Sequence, residues 1–265
     1  MPRIARIKSE SGFYHIMVRG INRQDIFHDD EDRRKYLSVL KKYGEKCGCN
    51  IYGYCLMNNH VHLLLREIKD PIESIMKRIG ASYVYWYNNK YDRVGHLFQD
   101  RFKSEAVEDE NYLLSVIRYI HQNPLKAKFG KGLDYKWSSY NEYIGEKGKA
   151  GKAGKTYEME IINDPDFIFE IFHTDKNKAL ELFEKFMAQD NKDSFLDNEQ
   201  RKKPLHDEDV KIMLKDIAGL ESTGGLISME KKNRNLIIRK MKNKGVSIRQ
   251  LSRITGINRG IIGRA

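Results

Sequence analysis

Two strand-like runs, Asn50 to Met57 and His60 to Arg66, are separated only by Asn58-Asn59. Two residues are too few for a crossover, so the runs must fold back on each other as an antiparallel hairpin. The second run opens with His60-Val61-His62 and continues as Leu63-Leu64-Leu65. Successive strand side chains point to opposite faces, so His60 and His62 share one face, close enough for their ring nitrogens to hold one metal ion. The alternative is a strand edge that merely carries two histidines, and the hairpin alone does not decide between them.

The flanking elements narrow the fold. Phe13 to Arg19 is aromatic and β-branched, as a strand would be. Asp29-Asp30-Glu31-Asp32 opens a helix predicted to run to about Lys46, with Tyr36, Leu37, Leu40 and Tyr43 at helical spacing. Pro71 begins a second helix whose apolar stripe is Ile72, Ile75, Ile79, Tyr83 and Trp86. Arg101 to Val107 reads as a fourth strand. Asp109-Glu110 opens a third helix through Leu113, Leu114, Ile117 and Ile120, predicted to stop at Asn123-Pro124. The order is β-α-β-β-α-β-α. Its first six elements match the split βαβ, ferredoxin-like arrangement, an α+β fold with one antiparallel sheet and helices on one face.

This domain is expected to span residues 1–145. The Gly/Lys/Ala-rich stretch 146–156 reads as a flexible linker. Residues 157–206 read as an acidic helical connector and 207–265 as a basic helical module. The module ends in a helix-turn-helix-like pattern: Ser247 to cap one helix, Gly256 for the turn, Asn258 to cap the next. About two turns of that second helix precede Ala265.

Charge is partitioned along the chain. The net charge is +11, yet residues 156–230 carry 9 Lys/Arg against 18 Asp/Glu, and residues 231–265 carry 11 Lys/Arg and no acid. A basic first domain and an acid-free tail point to a polyanion as partner. No run of about 18 apolar residues is present, which excludes a membrane-spanning helix. The start, Met1-Pro2-Arg3-Ile4-Ala5-Arg6, lacks the apolar segment of a signal peptide. Cys47, Cys49 and Cys55 lack the second pair that a zinc ribbon needs and read as reduced structural residues of a cytoplasmic protein.

The third helix carries Arg118-Tyr119-Ile120-His121-Gln122-Asn123-Pro124. Tyr119 and Asn123 are four apart and share a helix face. They can be a packed tyrosine and a helix-ending asparagine. Placed beside His60 and His62 they suggest something else. Two imidazoles and an amide oxygen can coordinate a divalent ion, Mg²⁺ or Mn²⁺, and leave open positions for phosphate oxygens. A tyrosine there can attack phosphorus covalently, provided that its phenol, with a free pKa of about 10, is activated.

At this point the chain resembles the HUH endonucleases with a single catalytic tyrosine, and most closely the REP-associated tyrosine transposases, relatives of the smallest insertion-sequence transposases. The resemblance covers about residues 3–145. Five blocks in order carry it: Gly12 to Gly20, Ile26 to Asp30, Met57 to Leu64, Phe98 to Ser104 and Tyr119 to Pro124. It implies cleavage of single-stranded, hairpin-containing DNA through a 5′-phosphotyrosine. Tyr119 is the implied nucleophile and His60 and His62 the implied metal ligands. Asn123, the implied third ligand, stands where insertion-sequence relatives often carry glutamine.

Arg19, Asn22, Arg23, Arg101 and Lys103 are candidates for backbone contacts to DNA, as are Arg249, Arg253, Asn258 and Arg259 in the basic module. Solvated loops are the alternative for the first group. His15 reads as a core residue and His121 as no ligand. The chain is expected to act as a monomer or homodimer. Two rival functions are a non-catalytic DNA-binding regulator on a nuclease scaffold and a replication-initiator or relaxase-type nickase.

Overall fold

The computed structural model of the chain describes residues 6–129, 133–145, 159–190, 195–196, 206–220 and 224–265. The expected linker, 146–156, lies outside the described residues. Two compact units are formed, Met1–Asn198 and Glu199–Ala265.

In the first unit β1 (Phe13–Arg19) leads to α1 (Asp30–Cys47), β2 (Cys49–Leu56), β3 (His60–Glu67), α2 (Ile72–Lys90), β4 (Lys103–Ala106) and α3 (Glu110–Lys126). The sheet order is β2-β3-β1-β4, and the three strand pairs are antiparallel. This is the ferredoxin-like order. The Asn58-Asn59 turn joins β2 to β3, with Met57 donating to the His60 carbonyl at 2.9 Å. The turn also anchors the loop after β1: the Asn58 carbonyl accepts from Ile26 and Phe27, and the Asn59 carbonyl accepts from Gly20. A Cβ at Gly20 would collide with the Gln24 carbonyl, so only glycine lets the chain turn this tightly there.

Period-2 alternation splits the sheet into two faces. Tyr14, Ile16 and Val18 of β1, with Val61, Leu63 and Leu65 of β3, pack against α1 and α2 in one core. These are the two helices expected on one face. Phe13, Leu64 and Cys55 point the other way, into a second core covered by α3. α1 is opened by a reciprocal capping box between Asp29 and Asp32 and closed by Gly48 in the left-handed conformation.

The expected stop at Asn123-Pro124 is corrected: α3 continues through Pro124 to Lys126. A proline in the last turn forfeits one backbone donor, and in the same turn the Asn123 amide donates to the Tyr119 carbonyl at 3.1 Å. Short α4 (Tyr140–Ile144) follows, then α5 (Pro165–Phe172) and α6 (Lys176–Met187). The last two contribute Ile168, Phe183 and Met187 to the α3 core.

The second unit holds α7 (Asp207–Ala218), α8 (Gly225–Ser228), α9 (Lys231–Asn243), α10 (Ile248–Thr255) and α11 (Arg259–Arg264) around a core that includes Leu214, Ile238, Leu251 and Ile262. The Ser247 side chain accepts from the Gln250 amide, Gly256 turns left-handed at φ 74°, and Asn258 accepts from Gly260. Among the described residues no helix is long and apolar enough to cross a membrane.

Candidate active site

The face of the sheet under α3 carries the polar residues. In the β1–β3 register Arg19 lies opposite His60 and Met17 opposite His62. In the β1–β4 register His15 lies opposite Glu105 and Met17 opposite Lys103. Cross-strand partners share a face, so His60, His62, His15, Glu105, Arg19 and Lys103 form one patch flanked by two cations.

His60 and His62 stand with ring centroids 5.1 Å apart. His60 is half-buried at the strand's entrance and His62 is fully buried. Tyr119 reaches down from α3 to within 5.5 Å of the His62 ring and 5.9 Å of the His15 ring, edge-on to both. Tyr119 therefore stands against His62, 57 residues away in sequence, and His62 stands beside His60. Asn123 lies one turn beyond Tyr119 on α3, buried, with its side-chain amide donating to the Tyr119 carbonyl. Lys126 puts its ammonium 4.9 Å from the Tyr119 ring centroid, adding positive charge beside the phenol.

Each histidine is held through its Nδ1. His60 Nδ1 lies 2.6 Å from Asn59 Oδ1, and the Asn59 amide nitrogen is committed to the Arg23 carbonyl at 3.1 Å. The amide orientation is thus fixed and the His60 Nδ1–H donates. His62 Nδ1 lies 3.0 Å from His15 Nε2. The His60 contact favours the tautomer with its lone pair on Nε2, the form that ligates metals. Among the described residues no group of three or more His, Cys, Asp or Glu is placed to hold a metal ion. Two imidazoles, with substrate oxygens to complete the set, are donors whose chemistry fits a divalent ion with open positions.

Two contributors escaped the sequence. His15, read as core, is fully buried yet spends its ring on His62. Phe195 stacks edgewise on Tyr119 at 4.7 Å and on His15 at 5.6 Å, and Tyr119 is only 4% exposed. Nothing local marks Phe195, which lies 76 residues from Tyr119. His121 faces away from the site: it is fully buried, bonds Ser139 Oγ at 2.9 Å, and burial pushes its pKa down to about 3. Glu105 is held below the usual carboxylate range, first by His15 and also by the Tyr112 hydroxyl, 3.2 Å away.

Residues 8–123, which contain the sheet and the histidine–tyrosine constellation, match the family model described as "Transposase IS200 like". That segment is similar to the IS200-like transposases. Solved structures similar to the chain include two described as transposases. A REP-associated tyrosine transposase bound to a REP hairpin shares 17% identity over 62% of this chain and 98% of that one, with a TM-score of 0.49. A protein of Deinococcus radiodurans R1, described as a candidate transposase, shares 16% identity over 44% of this chain and 95% of that one, with a TM-score of 0.33. Both likenesses are too distant to carry residue roles across. No curated protein matches the chain.

In the first unit the candidate DNA-contacting residues fall into two settings. Asn22 and Arg23 are exposed and both left-handed, at φ 51° and 62°, a conformation that costs arginine energy and that the Asn59 contact holds in place. Arg101 is exposed, while Arg19 and Lys103 are half-buried beside the histidines. In the second unit Arg249, Asn258 and Arg259 are exposed. Arg253 is engaged by Asp207 through two contacts, Nε at 3.0 Å and Nη2 at 2.6 Å.

Proposed function

We propose that the first unit is a metal-dependent, single-tyrosine transposase that cleaves and rejoins single-stranded, hairpin-containing DNA. The observation that carries this reading is the contact of Tyr119 with His62, whose ring lies beside that of His60, across the sheet–helix interface. His60 and His62 would hold a divalent ion, with the Asn123 side chain as the third protein ligand. The chemistry that Mg²⁺ or Mn²⁺ would supply there is polarisation of the scissile phosphate and offset of its developing charge. Arg19 and Lys103 flank the patch and fit the two sides of a phosphate backbone.

In the chemical step the Tyr119 oxygen forms a bond to phosphorus and the bond from phosphorus to the 3′ oxygen breaks. The 3′ end leaves as a hydroxyl, taking up the equivalent of the phenol proton, and the 5′ phosphate remains on Tyr119. The phosphotyrosine conserves the bond energy, so the reverse attack by a 3′ hydroxyl rejoins strands without a nucleotide cofactor. The exposed arginines of the second unit add DNA affinity.

The test is a cleavage assay on single-stranded hairpin DNA with Mg²⁺ or Mn²⁺. The wild type forms an SDS-stable protein–DNA adduct and Tyr119→Phe forms none. An adduct that persists in Tyr119→Phe removes the nucleophile from this reading. The acid-free tail 231–265 favours one second reading, a DNA-binding regulator, and absence of an adduct on every hairpin tried would shift the assignment to it.

A further inference from the structure

We infer that His15 and Glu105 are positioning residues that lock His62 in its Nδ1–H tautomer and so aim its Nε2 lone pair at the metal. This rests on the metal-dependent reading above. The geometry sets a direction. Glu105 Oε2 lies 3.6 Å from His15 Nδ1, and the two residues are register partners on β4 and β1. A carboxylate on that side favours the proton on His15 Nδ1, which leaves His15 Nε2 as an acceptor. The atom facing that acceptor is His62 Nδ1, at 3.0 Å, so it must be the donor. An imidazole whose Nδ1 carries the proton has its lone pair on Nε2.

The polarity of the chain, carboxylate to His15 to His62 to ion, is the usual logic of outer-shell support for a metal-ligating histidine, with a second imidazole interposed. The interposition has a structural cause. His62 sits in the middle of the patch, its register partners being Met17 and Cys55. Glu105 is two strands away on the edge strand β4, so an imidazole on β1 spans the gap. Burial of both rings makes the direction consequential: His15 and His62 are each 0% exposed, and a wrong tautomer would set two N–H groups, or two lone pairs, against each other without water to relieve them. His60 has a simpler anchor, Asn59, because it lies at the turn.

The experiment uses the full-length protein and three variants. His15→Phe keeps a ring but removes the acceptor. His15→Gln keeps an acceptor oxygen and has no need of Glu105 to present it. Glu105→Gln removes the charge. Folding is checked by thermal melting. The His62 tautomer is read in metal-free protein from the two-bond ¹H–¹⁵N couplings of ¹⁵N-histidine, and Mn²⁺ binding from the loss of the free-ion resonance.

The expected results are Nδ1–H at His62 in the wild type and loss of that single tautomer in His15→Phe, with Mn²⁺ affinity down by about 10- to 100-fold. His15→Gln recovers most of the affinity. Glu105→Gln costs less than His15→Phe, within about tenfold, and adds nothing in the His15→Gln background. Folded His15→Phe with wild-type tautomer and affinity overturns the relay alone. Equal losses in His15→Phe and His15→Gln also overturn it, because they mark a packing role. A wild type that takes up no Mn²⁺ overturns the metal site and the function it supports.

Discussion

The two faces of one sheet divide the labour of this fold. On β3, Val61, Leu63 and Leu65 enter a hydrophobic core with α1 and α2, whereas His60 and His62, one residue out of phase, enter the patch under α3. On β1 the same alternation sets Ile16 and Val18 against His15 and Arg19. The first face is insulated from solvent and stabilises. The second accumulates imidazoles, a carboxylate and cations, groups whose burial costs free energy unless each finds a partner. A period of two thus separates folding from chemistry at single-residue resolution, and adjacent substitutions should have opposite consequences.

The neighbours His62 and Leu63 give the sharpest break. His62→Asn should eliminate the DNA adduct while leaving most of the melting temperature in place. Leu63→Ala should cost about 2–5 kcal/mol and lower the melting temperature by roughly 5–15 °C, while the fraction still folded cleaves DNA normally. Adduct formation and calorimetry on the two variants decide this; the same deficit in both would erase the division between faces.

A second measurement concerns a histidine on the chemical side of the sheet that lies outside the chemistry. Unfolded, His121 titrates near 6.5; folded, it titrates near about 3 because the cavity excludes its charged form. Its contribution to stability is complete above pH 6.5 and is lost as the pH falls toward 3, at up to about 1.4 kcal/mol per pH unit. Melting curves between pH 7 and pH 4 should show this slope, and His121→Gln, which can still bond Ser139, should flatten it.

The smallest effects belong to the cations. Arg19→Ala and Lys103→Ala should each reduce the slope of log affinity against log salt for single-stranded DNA by about 0.7. Arg249→Ala and Arg259→Ala should do likewise if the second unit binds the same strand. Arg253→Ala should change the slope less, because Asp207 already neutralises that guanidinium. Equal slopes for Arg253 and Arg249 would show that DNA displaces Asp207.

The strands and helices of the first unit were readable because their periodicities are long and clean, and the two-residue turn dictated the hairpin. Boundaries were less so: β4 is four residues, Lys103–Ala106, where seven were expected. Asn123-Pro124 misled because a proline in a helix's final turn forfeits only one bond, which the chain tolerates when Pro124 is buried against a core. His60, His62 and Tyr119 were legible as residue types with matching spacing. His15 was not, since a histidine inside an aromatic, β-branched run looks like any core residue until register sets it between Glu105 and His62. Phe195 was unreadable for a different reason: its contacts with Tyr112, Tyr119 and His15 are all remote in sequence.

That phenylalanine has a practical consequence for chemical footprinting. A ring stacked on Tyr119 shields the phenol from electrophilic reagents dissolved in water, so iodination or diazonium coupling of the resting protein should spare it. Tyr85, 73% exposed on α2, should be modified first. Tyr119 then becomes a reporter of its own uncovering: the label it acquires, counted against Tyr85 as an internal clock, measures how often the phenol meets solvent, and Phe195→Ala should raise that count with no DNA present.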